Sequence, residues 1–293
     1  YAFLQRMAAP DRDRLIRDTL AAHDALRGFR PHTNAAQLMP LMSFSSADGD
    51  GMKGDMVDSG GLYHLLLDSG FTPDVWTPYE LERAAPDALG GYRVLFMSDC
   101  PVLPDAAHGA LLRFARSGGK IISSGRLPEK NLRGLPLTPQ LEGMEGVLSM
   151  GEKAGRRYWG RLRREQVYGN TPPVLVEAPD PERTPELRRS LRDRLISSVT
   201  LSGAPRPVAV GPENGDTHVT PFHNPETGGW LLFLVHKGKG RRHHADLRLD
   251  LGRQFSGAEA WCDFDARHRV AVDADGALRS PDFAHVCIIR LEG

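Results

Sequence analysis

The chain has 293 residues, of which 40% are hydrophobic and 25% charged, and its 37 basic and 37 acidic side chains cancel to a net charge of zero. That length predicts about two domains, and the composition is typical of a soluble globular protein. A balanced charge gives no long-range field to attract nucleic acid or an anionic membrane, so neither is expected as a partner. The longest apolar run, WLLFLV at Trp230 to Val235, is far shorter than the roughly 20 residues that span a bilayer.

No signal peptide is visible in the sequence, which begins at Tyr1 and not at Met. We expect a start in mid-chain, with any targeting segment upstream. The cysteines, Cys100, Cys262 and Cys287, are far apart and lack CxxC spacing. This pattern predicts neither a zinc site nor a disulfide framework but buried free thiols, and it favours a reducing compartment such as the cytoplasm.

The first half of the chain alternates helical and strand patterns. An amphipathic helix is predicted over residues 11–28, since Pro10 precedes it and Gly28 closes it. The next predicted elements are a strand at 37–45, a Gly/Asp-rich loop at 46–55, a helix at 62–69, and strands at 73–78 and 92–99, followed by a helix at 105–117 and a strand at 120–125. Strands that alternate with helices pair in parallel, so this half is predicted to be an α/β domain with a flavodoxin-like, doubly wound parallel sheet of four or five strands.

The second half changes character. Residues 151–202 contain one predicted helix, 184–198, capped by Thr184, and beyond Pro207 the chain consists of short segments separated by turn residues. These predicted strands are RPVAV, THVTPFH, WLLFLVHK, ADLRLDL, AEAWCDF, HRVAV, GALRS and HVCIIRL, with a hairpin turn at 273–276. Their spacing predicts a small antiparallel β-sandwich. The expected division is an N-terminal helical segment (1–35), the α/β domain (36–150), a bridging segment (151–205) and the β domain (206–293).

Two stretches carry a resemblance to a known family. LYHLLLDSGFTPDVWTPYEL and YRVLFMSDCPVLPDAAHGALLRFARSGGKIISSGR resemble the middle, trimerisation domain of family 42 glycoside hydrolases, the β-galactosidases, whose fold is like that of class I glutamine amidotransferases. The matching parts are Gly70 and Asp74, the strand Tyr92 to Met97, the helix from Asp105, and the glycine pair at 118–119 before a strand. The C-terminal half resembles the small β domain that closes such enzymes.

The resemblance implies a homo-oligomer, a trimer by the usual name of the domain, and a carbohydrate substrate that binds a TIM barrel preceding this domain. No stretch of the chain supplies the roughly 250 residues that a barrel needs. The predicted function is therefore the non-catalytic C-terminal portion of a β-galactosidase-like enzyme, which serves oligomerisation and supports a barrel absent from this chain. No catalytic residue and no cofactor is predicted. A free-standing amidotransferase-like module that binds a small molecule or a partner is the alternative, because other amidotransferase-like domains share the Gly-Gly-strand motif.

Three side chains are candidates for a nucleophile. An amidotransferase-like fold places its nucleophile on a tight turn after a strand, and Ser123 and Ser124 occupy that place. Ile122 stands where the motif has its first glycine, so these serines are predicted to be structural. Cys100 also follows a strand end, where ligands bind in open sheets, but Pro101 follows it and no helix begins directly behind it. A packed thiol is the prediction for Cys100.

Two groups of residues are candidates for metal ligands. One contains His218, His223, His236, His243 and His244. Neighbouring residues of a strand point to opposite faces, so the doublet at 243–244 is a poor chelator. The other group, Asp48, Asp50 and Asp55, lies in a Gly-rich stretch, but Gly51 stands at the third ligand position of a calcium loop. No metal site is predicted.

The stretch RRYWGRLRREQ, Arg156 to Gln166, is basic and contains aromatic side chains. Such a pattern is compatible with single-stranded nucleic acid, but the neutral chain favours packing against a neighbouring domain or subunit. Tyr158, Trp159 and Tyr168 are predicted to anchor a subunit interface, with packing inside the chain as the alternative.

Overall fold

The chain divides into two compact units, Thr33–Pro207 and Tyr1–His32 with Val208–Gly293. The computed structural model describes residues 9–33, 35–39, 51–150, 153–159, 161–165, 174–178, 185–203, 206–211, 217–236, 242–263 and 267–293. Within these residues it has a five-stranded parallel sheet with helices, and antiparallel sheets of six, three and two strands. The architecture is therefore mixed α/β.

The helices and strands of the described residues are numbered in chain order. The helices are α1 (Ala9–Ala25), α2 (Gly51–Asp68), α3 (Pro78–Arg83), α4 (Asp105–Arg116), α5 (Ala154–Trp159) and α6 (Pro185–Ser202). The strands are β1 (Arg30–Pro31), β2 (Ala35–Leu38), β3 (Asp74–Trp76), β4 (Val94–Met97), β5 (Lys120–Ser123), β6 (Val147–Ser149), β7 (Arg161–Glu165), β8 (Val174–Ala178), β9 (Val208–Val210), β10 (Thr217–His223), β11 (Trp230–His236), β12 (Asp246–Leu249), β13 (Gly257–Cys262), β14 (Arg267–Val270), β15 (Ala277–Arg279) and β16 (Val286–Glu292).

The parallel sheet has the strand order β3-β2-β4-β5-β6, and every neighbouring pair in it is parallel. Its first four strands in the chain are the ones that the apolar runs predict. The fifth, β6, was not predicted, because VLS at 147–149 is too short to stand out as a strand pattern. The strand order reverses between β2 and β4, because β3 lies on one side of β2 and the later strands lie on the other. At such a switch point an open parallel sheet forms a crevice beyond the carboxyl ends of its strands.

Each face of this sheet is covered by helices. Alternate residues of β4 point to opposite faces, so Leu95 and Met97 join one core with α3 and α4, while Val94 and Phe96 join another with α2, α5 and α6. The apolar side chains of the neighbouring strands β2 and β5 are likewise buried. A sheet covered on both faces explains why these strands read as continuous apolar runs.

One sequence prediction for this unit is wrong. Residues 51–55 belong to α2 and are not part of a loop, although Gly51 and Gly54 are poor helix formers. The packing of Leu62, Leu65 and Leu66 on the sheet stabilises the helix that these residues begin. The preceding part of the predicted loop, 46–50, and most of the strand predicted at 37–45 lie outside the described residues.

Two of the remaining helices agree with the sequence patterns, whereas α3 and α5 were not predicted. The predicted helices at 11–28 and 184–198 are α1 and α6, and Gly28 ends the first with a left-handed φ of 79°. Thr184, the predicted cap, lies outside the described residues. No helix within the described ranges has both the length and the apolar character needed to cross a membrane.

The antiparallel unit contains all eight strands that the short segments predict, β9 to β16. Together with β1 they form one sheet of order β1-β10-β11-β16-β13-β14 and another of order β15-β12-β9. A turn at 273–276 precedes β15, and its Gly276 has a φ of 80°, which few other residues adopt. Inward side chains of both sheets share one apolar core, made among others by Val210, Leu232, Leu247 and Ile289.

Candidate functional site

A cavity of about 660 Å³ opens at the carboxyl edge of the parallel sheet. Its lining includes Asp99 beyond β4, Arg126 beyond β5, Ser149 at the end of β6, and Lys153 just before α5. The strands end at one edge because they are parallel, so residues far apart in the sequence meet there. This cavity is the candidate functional site.

Asp99 is the buried carboxylate of the cavity, and its side chain is 1% exposed. It accepts hydrogen bonds from the Arg126 backbone N–H at 2.7 Å, from Nε at 3.0 Å and from Nη2 at 2.9 Å. The Lys153 ammonium lies 2.7 Å from the second carboxylate oxygen. Although burial opposes the shift, these hydrogen bonds from Arg126 and Lys153 lower the pKa of Asp99 to about 2. At neutral pH Asp99 is an ionised partner of two cations with no proton to donate.

Asp58, on α2, is a second carboxylate beneath the same edge and is fully buried. It accepts hydrogen bonds from the backbone N–H groups of Asp99 and Arg156, each at 3.0 Å, and from the Ser124 hydroxyl at 3.3 Å. Burial raises the pKa of Asp58, while these N–H and hydroxyl donors oppose that rise. Asp58 therefore connects α2 to the β4 loop, the β5 loop and the start of α5.

Close packing fixes this geometry. A methyl group on Gly125 would lie 2.8 Å from the Asp99 Cβ, and one on Gly155 would lie 1.9 Å from the Asp58 carbonyl oxygen. Only glycine fits at either position because the obstacles are a buried side chain and a helix backbone. The chain thus holds both carboxylates by close backbone approach as well as by hydrogen bonds.

The two serines weighed as nucleophiles are both engaged. The Ser123 hydroxyl donates to the Gly125 carbonyl oxygen at 2.8 Å, and the Ser124 hydroxyl donates to Asp58. Both residues are fully buried. Their hydroxyl hydrogens are used in internal bonds, and a buried oxygen does not reach a substrate.

Cys100 is 3% exposed, and its thiol donates to the Val102 carbonyl oxygen at 3.4 Å. The structure places it one residue beyond Asp99 but among the apolar side chains on the face covered by α4. This is the packed thiol that its sequence context predicts.

Of the histidines considered as metal ligands, His236 and His243 contact each other, and His244 contacts acidic side chains. His243 stacks against His236 with ring centroids 3.5 Å apart, and its Nε2 lies 2.8 Å from the Thr217 hydroxyl. His244 lies within 3.7 Å of Asp246 and 3.5 Å of Asp282. Among the residues that the structure describes, no group of three or more His, Cys, Asp or Glu is placed to hold a metal ion. Asp48 and Asp50 lie outside the described residues, and Asp55 lies in α2.

Tyr158 is part of the core and is 1% exposed. Its hydroxyl donates a short hydrogen bond to the Asp68 carboxylate, and the Arg188 guanidinium lies 4.7 Å above its ring. This burial agrees with the alternative of packing within the chain, and a role of Tyr158 at a subunit interface stays a prediction. The side chain of Trp159 and all of Tyr168 lie outside the described residues.

Sequence reasoning missed Asp58, Asp99, Arg126 and Lys153. A signal was present for two of them, since Asp99 and Arg126 come directly after buried strands, where side chains of an open sheet face a crevice. No comparable signal marked Asp58 or Lys153, which reach this edge from helix α2 and from the start of α5.

Comparison with known proteins shows likeness in fold. No protein-family model and no curated protein matches the sequence. An α-L-fucosidase isoenzyme 2 from Paenibacillus thiaminolyticus aligns over 93% of this chain and 51% of its own, with a TM-score of 0.53 and 16% identity. A cold-adapted β-galactosidase from Rahnella sp. R3 aligns over 93% of this chain and 43% of its own, with a TM-score of 0.50 and 11% identity. The chain therefore spans about half the length of these glycosidases or less, and at such identity the likeness is one of fold.

Proposed function

We propose that this chain is the non-catalytic C-terminal portion of a β-galactosidase-like glycoside hydrolase, where it supports a catalytic barrel and serves oligomerisation. The observation that carries the proposal is that the two buried carboxylates at its carboxyl edge, Asp58 and Asp99, and the two serines there are held by internal bonds. The fold likeness to parts of two glycosidases supports the enzyme class.

Glycoside hydrolysis needs two accessible carboxyl groups, one of which donates a proton to the leaving oxygen. Asp99 is ionised and bound to Arg126 and Lys153, so it has no proton to donate. Asp58 keeps a raised pKa but has no exposed surface. Neither group is therefore available to a sugar ring. Two exposed carboxylates, Glu129 and Glu142, also line the cavity, and the proposal assigns hydrolysis to a barrel outside this chain and not to them.

The finer fold assignments belong to this proposal. When the five parallel strands are numbered 1 to 5 along the chain, their order across the sheet is 2-1-3-4-5. This is the flavodoxin-like order, which in this proposal is shared with the amidotransferase-like domain. The two antiparallel sheets around one core support a β-sandwich as the closing domain. Oligomerisation through the α/β unit, with Trp159 and Tyr168 as anchors, completes the proposal.

The coding sequence upstream of Tyr1 and the mass of the assembled protein test this proposal together. We expect a barrel-length reading frame joined to Tyr1, and an oligomer by light scattering whose mass falls in the Trp159→Ala, Tyr168→Ala double variant. Tyr158→Ala serves as the contrast, because it removes a core side chain and should lower stability with no specific effect on mass. A stop codon just before Tyr1 together with a monomeric chain would contradict the proposal.

The cavity favours a second candidate, a module that binds a small molecule. Its volume of about 660 Å³ lies within the range of roughly 300–1,000 Å³ typical of ligand pockets. This candidate predicts a saturable rise in melting temperature with a member of a panel of monosaccharides and dicarboxylates, reduced by Arg126→Ala. Glu226→Ala, an exposed change in the other unit, is the control and should leave the rise intact. The accessory role predicts no such rise.

A further inference from the structure

Cys262 and Cys287 are directly paired across two neighbouring antiparallel strands, β13 and β16. Opposite residues of such a pair project to the same face of the sheet, so the two sulfur atoms meet. Both side chains belong to the apolar core between the sheets, with 5% and 0% exposure. Their sulfur atoms lie 2.6 Å apart.

The register of β13 and β16 brings the two cysteine side chains closer together than the side chains of a hydrogen-bonded pair. In the adjoining pair the Asp263 N–H donates to the Val286 carbonyl oxygen at 2.7 Å. Hydrogen-bonded and non-hydrogen-bonded pairs alternate along an antiparallel ladder, so Cys262 and Cys287 occupy a non-hydrogen-bonded position. Side chains approach most closely there, and the sulfur atoms need to move by only about half an ångström to reach the S–S bond length of ~2.05 Å.

We infer that Cys262 and Cys287 form an intrachain disulfide by exchange with a low-molecular-weight disulfide such as oxidised glutathione. The thiolate of one cysteine attacks a glutathione sulfur, breaks its S–S bond and releases one glutathione thiolate, which leaves a mixed disulfide. The thiolate of the second cysteine then attacks the protein sulfur of that mixed disulfide and releases the second glutathione. The two protein thiols are oxidised, one oxidised glutathione is reduced to two thiols, and the two cysteine protons pass to them.

The surroundings determine when this exchange proceeds. The hydrogen bond with Cys262, together with burial, raises the pKa of the Cys287 thiol, so that the reactive thiolate is scarce in the folded unit. Exchange is therefore fast while the strands assemble and slow once the core has closed. The same burial then protects the finished bond from reductant.

Cys100 provides an internal control within the same chain. It lies in the other compact unit, and its thiol bonds the Val102 carbonyl oxygen. The close sulfur pair consists of Cys262 and Cys287 and does not include Cys100. Oxidation should therefore consume two of the three thiols and leave Cys100 reduced.

The test is to refold the full 293-residue chain from denaturant with a glutathione redox couple or with excess reductant, and to count free thiols after denaturation. We expect one thiol per chain after the oxidising refolding and three after the reducing one, with peptide mapping that links Cys262 to Cys287. Cys100→Ala should give no free thiol under oxidising conditions. Three thiols in both preparations, or a link that includes Cys100, would overturn the inference.

Stability gives a second measurement on the same samples. Closing a loop of 25 residues should raise the melting temperature of the oxidised chain by roughly 5–10 °C over the reduced one. Cys100→Ala should retain this difference, and the Cys262→Ala, Cys287→Ala double variant should lose it. If that double variant does not fold, the comparison of oxidised and reduced wild type still decides, because equal melting temperatures contradict a formed disulfide.

Discussion

The carboxyl edge of the parallel sheet and the core of the antiparallel unit bury very different chemistry. The first contains two carboxylates, Asp58 and Asp99, together with hydroxyl groups, whereas the second is built from apolar side chains and a cysteine pair. A buried charge is tolerated only when each of its oxygen atoms has donors, so the polar edge depends on every partner at once. Stability of the parallel unit should therefore respond to pH, and stability of the antiparallel unit should respond to oxidation.

The two carboxylates also differ from each other. Although burial opposes it, hydrogen bonds from Arg126 and Lys153 lower the pKa of Asp99. Burial raises the pKa of Asp58, against hydrogen bonds from backbone N–H groups and the Ser124 hydroxyl and against the charge of Lys153. Hydrogen bonds from two cations therefore outweigh burial at Asp99, whereas neutral donors and the charge of Lys153 do not outweigh it at Asp58. Substitutions at this edge should therefore differ in their effect on stability and on its dependence on pH.

Gly155→Ala should have the largest effect, because it separates α5 from α2 and with it the Arg156 N–H from Asp58. The added methyl group would meet the Asp58 carbonyl oxygen at 1.9 Å and the Leu62 nitrogen at 2.4 Å, both on backbone that cannot turn aside. We expect a loss of about 3 kcal/mol or more in the free energy of unfolding, measured in urea. Gly91→Ala is the matched control, since nothing lies within 4 Å of its added methyl group. Equal stability of the two variants would contradict the close helix contact.

Asp99→Asn should cost about 2 kcal/mol at pH 7, because the cations Arg126 and Lys153 lose their shared carboxylate. The pKa of Asp99 in the folded chain, about 2, lies below its ordinary value of 3.8. Its stabilisation is thus present above a pH of about 4 and is lost as the pH falls through about 2. Urea unfolding of wild type and variant should converge at low pH. Asp87→Asn, at an exposed position, should follow the wild type throughout, and a constant gap between Asp99→Asn and wild type would refute the assigned ionisation.

Asp58→Asn should change how stability depends on pH above the ordinary carboxyl pKa, whereas Asp99→Asn changes it below that value. Since the pKa of Asp58 is raised in the folded chain, its contribution is full below the ordinary value of 3.8 and is lost as the pH rises through the raised value. The wild type should therefore lose stability over that interval, and Asp58→Asn should show a flatter profile. Parallel profiles for the two proteins would show that Asp58 does not titrate differently on folding.

The smallest effects are expected at the two serines. Ser124→Ala removes a hydroxyl whose bonds to Asp58 are long, 3.3 and 3.5 Å, so we expect a loss of about 0.5–1 kcal/mol. In a longer enzyme that contains this chain, Ser123→Ala, Ser124→Ala and Cys100→Ala should each leave kcat within a few-fold of wild type. A fall on the order of 10³ in kcat at any of them would identify a nucleophile and reverse the comparison.

Local pattern was enough to predict most of the elements. The eight segments of the antiparallel unit are strands because alternation and turn residues act over a few positions, as at 273–276. Residues 51–55 show the limit of local composition, since packing of the later part of α2 overrides the low helix propensity of two glycines. The domain boundary expected near residue 35 stays a prediction, although the structure groups the chain up to His32 with the C-terminal unit.

The site was much less predictable than the elements. The bond from the Arg156 N–H to Asp58 joins residues 98 positions apart, and the bond from Asp99 joins residues 41 apart. Such contacts depend on the order and direction of strands, which a single sequence does not give. The pairing of Cys262 with Cys287 likewise depends on register, because a shift of one residue would turn one cysteine out of the core.

Hydrolysis by the 293-residue chain itself is the most direct test of the account. The purified chain is incubated with a panel of nitrophenyl glycosides that includes a β-galactoside and an α-L-fucoside, and released nitrophenol is followed against a buffer control. Turnover should equal the buffer control, because the proposal assigns hydrolysis to a barrel outside this chain, Asp99 is bound to two cations and Asp58 has no exposed surface. Saturable turnover that disappears in Asp99→Asn or Asp58→Asn would contradict it and place an active site at this edge of the sheet.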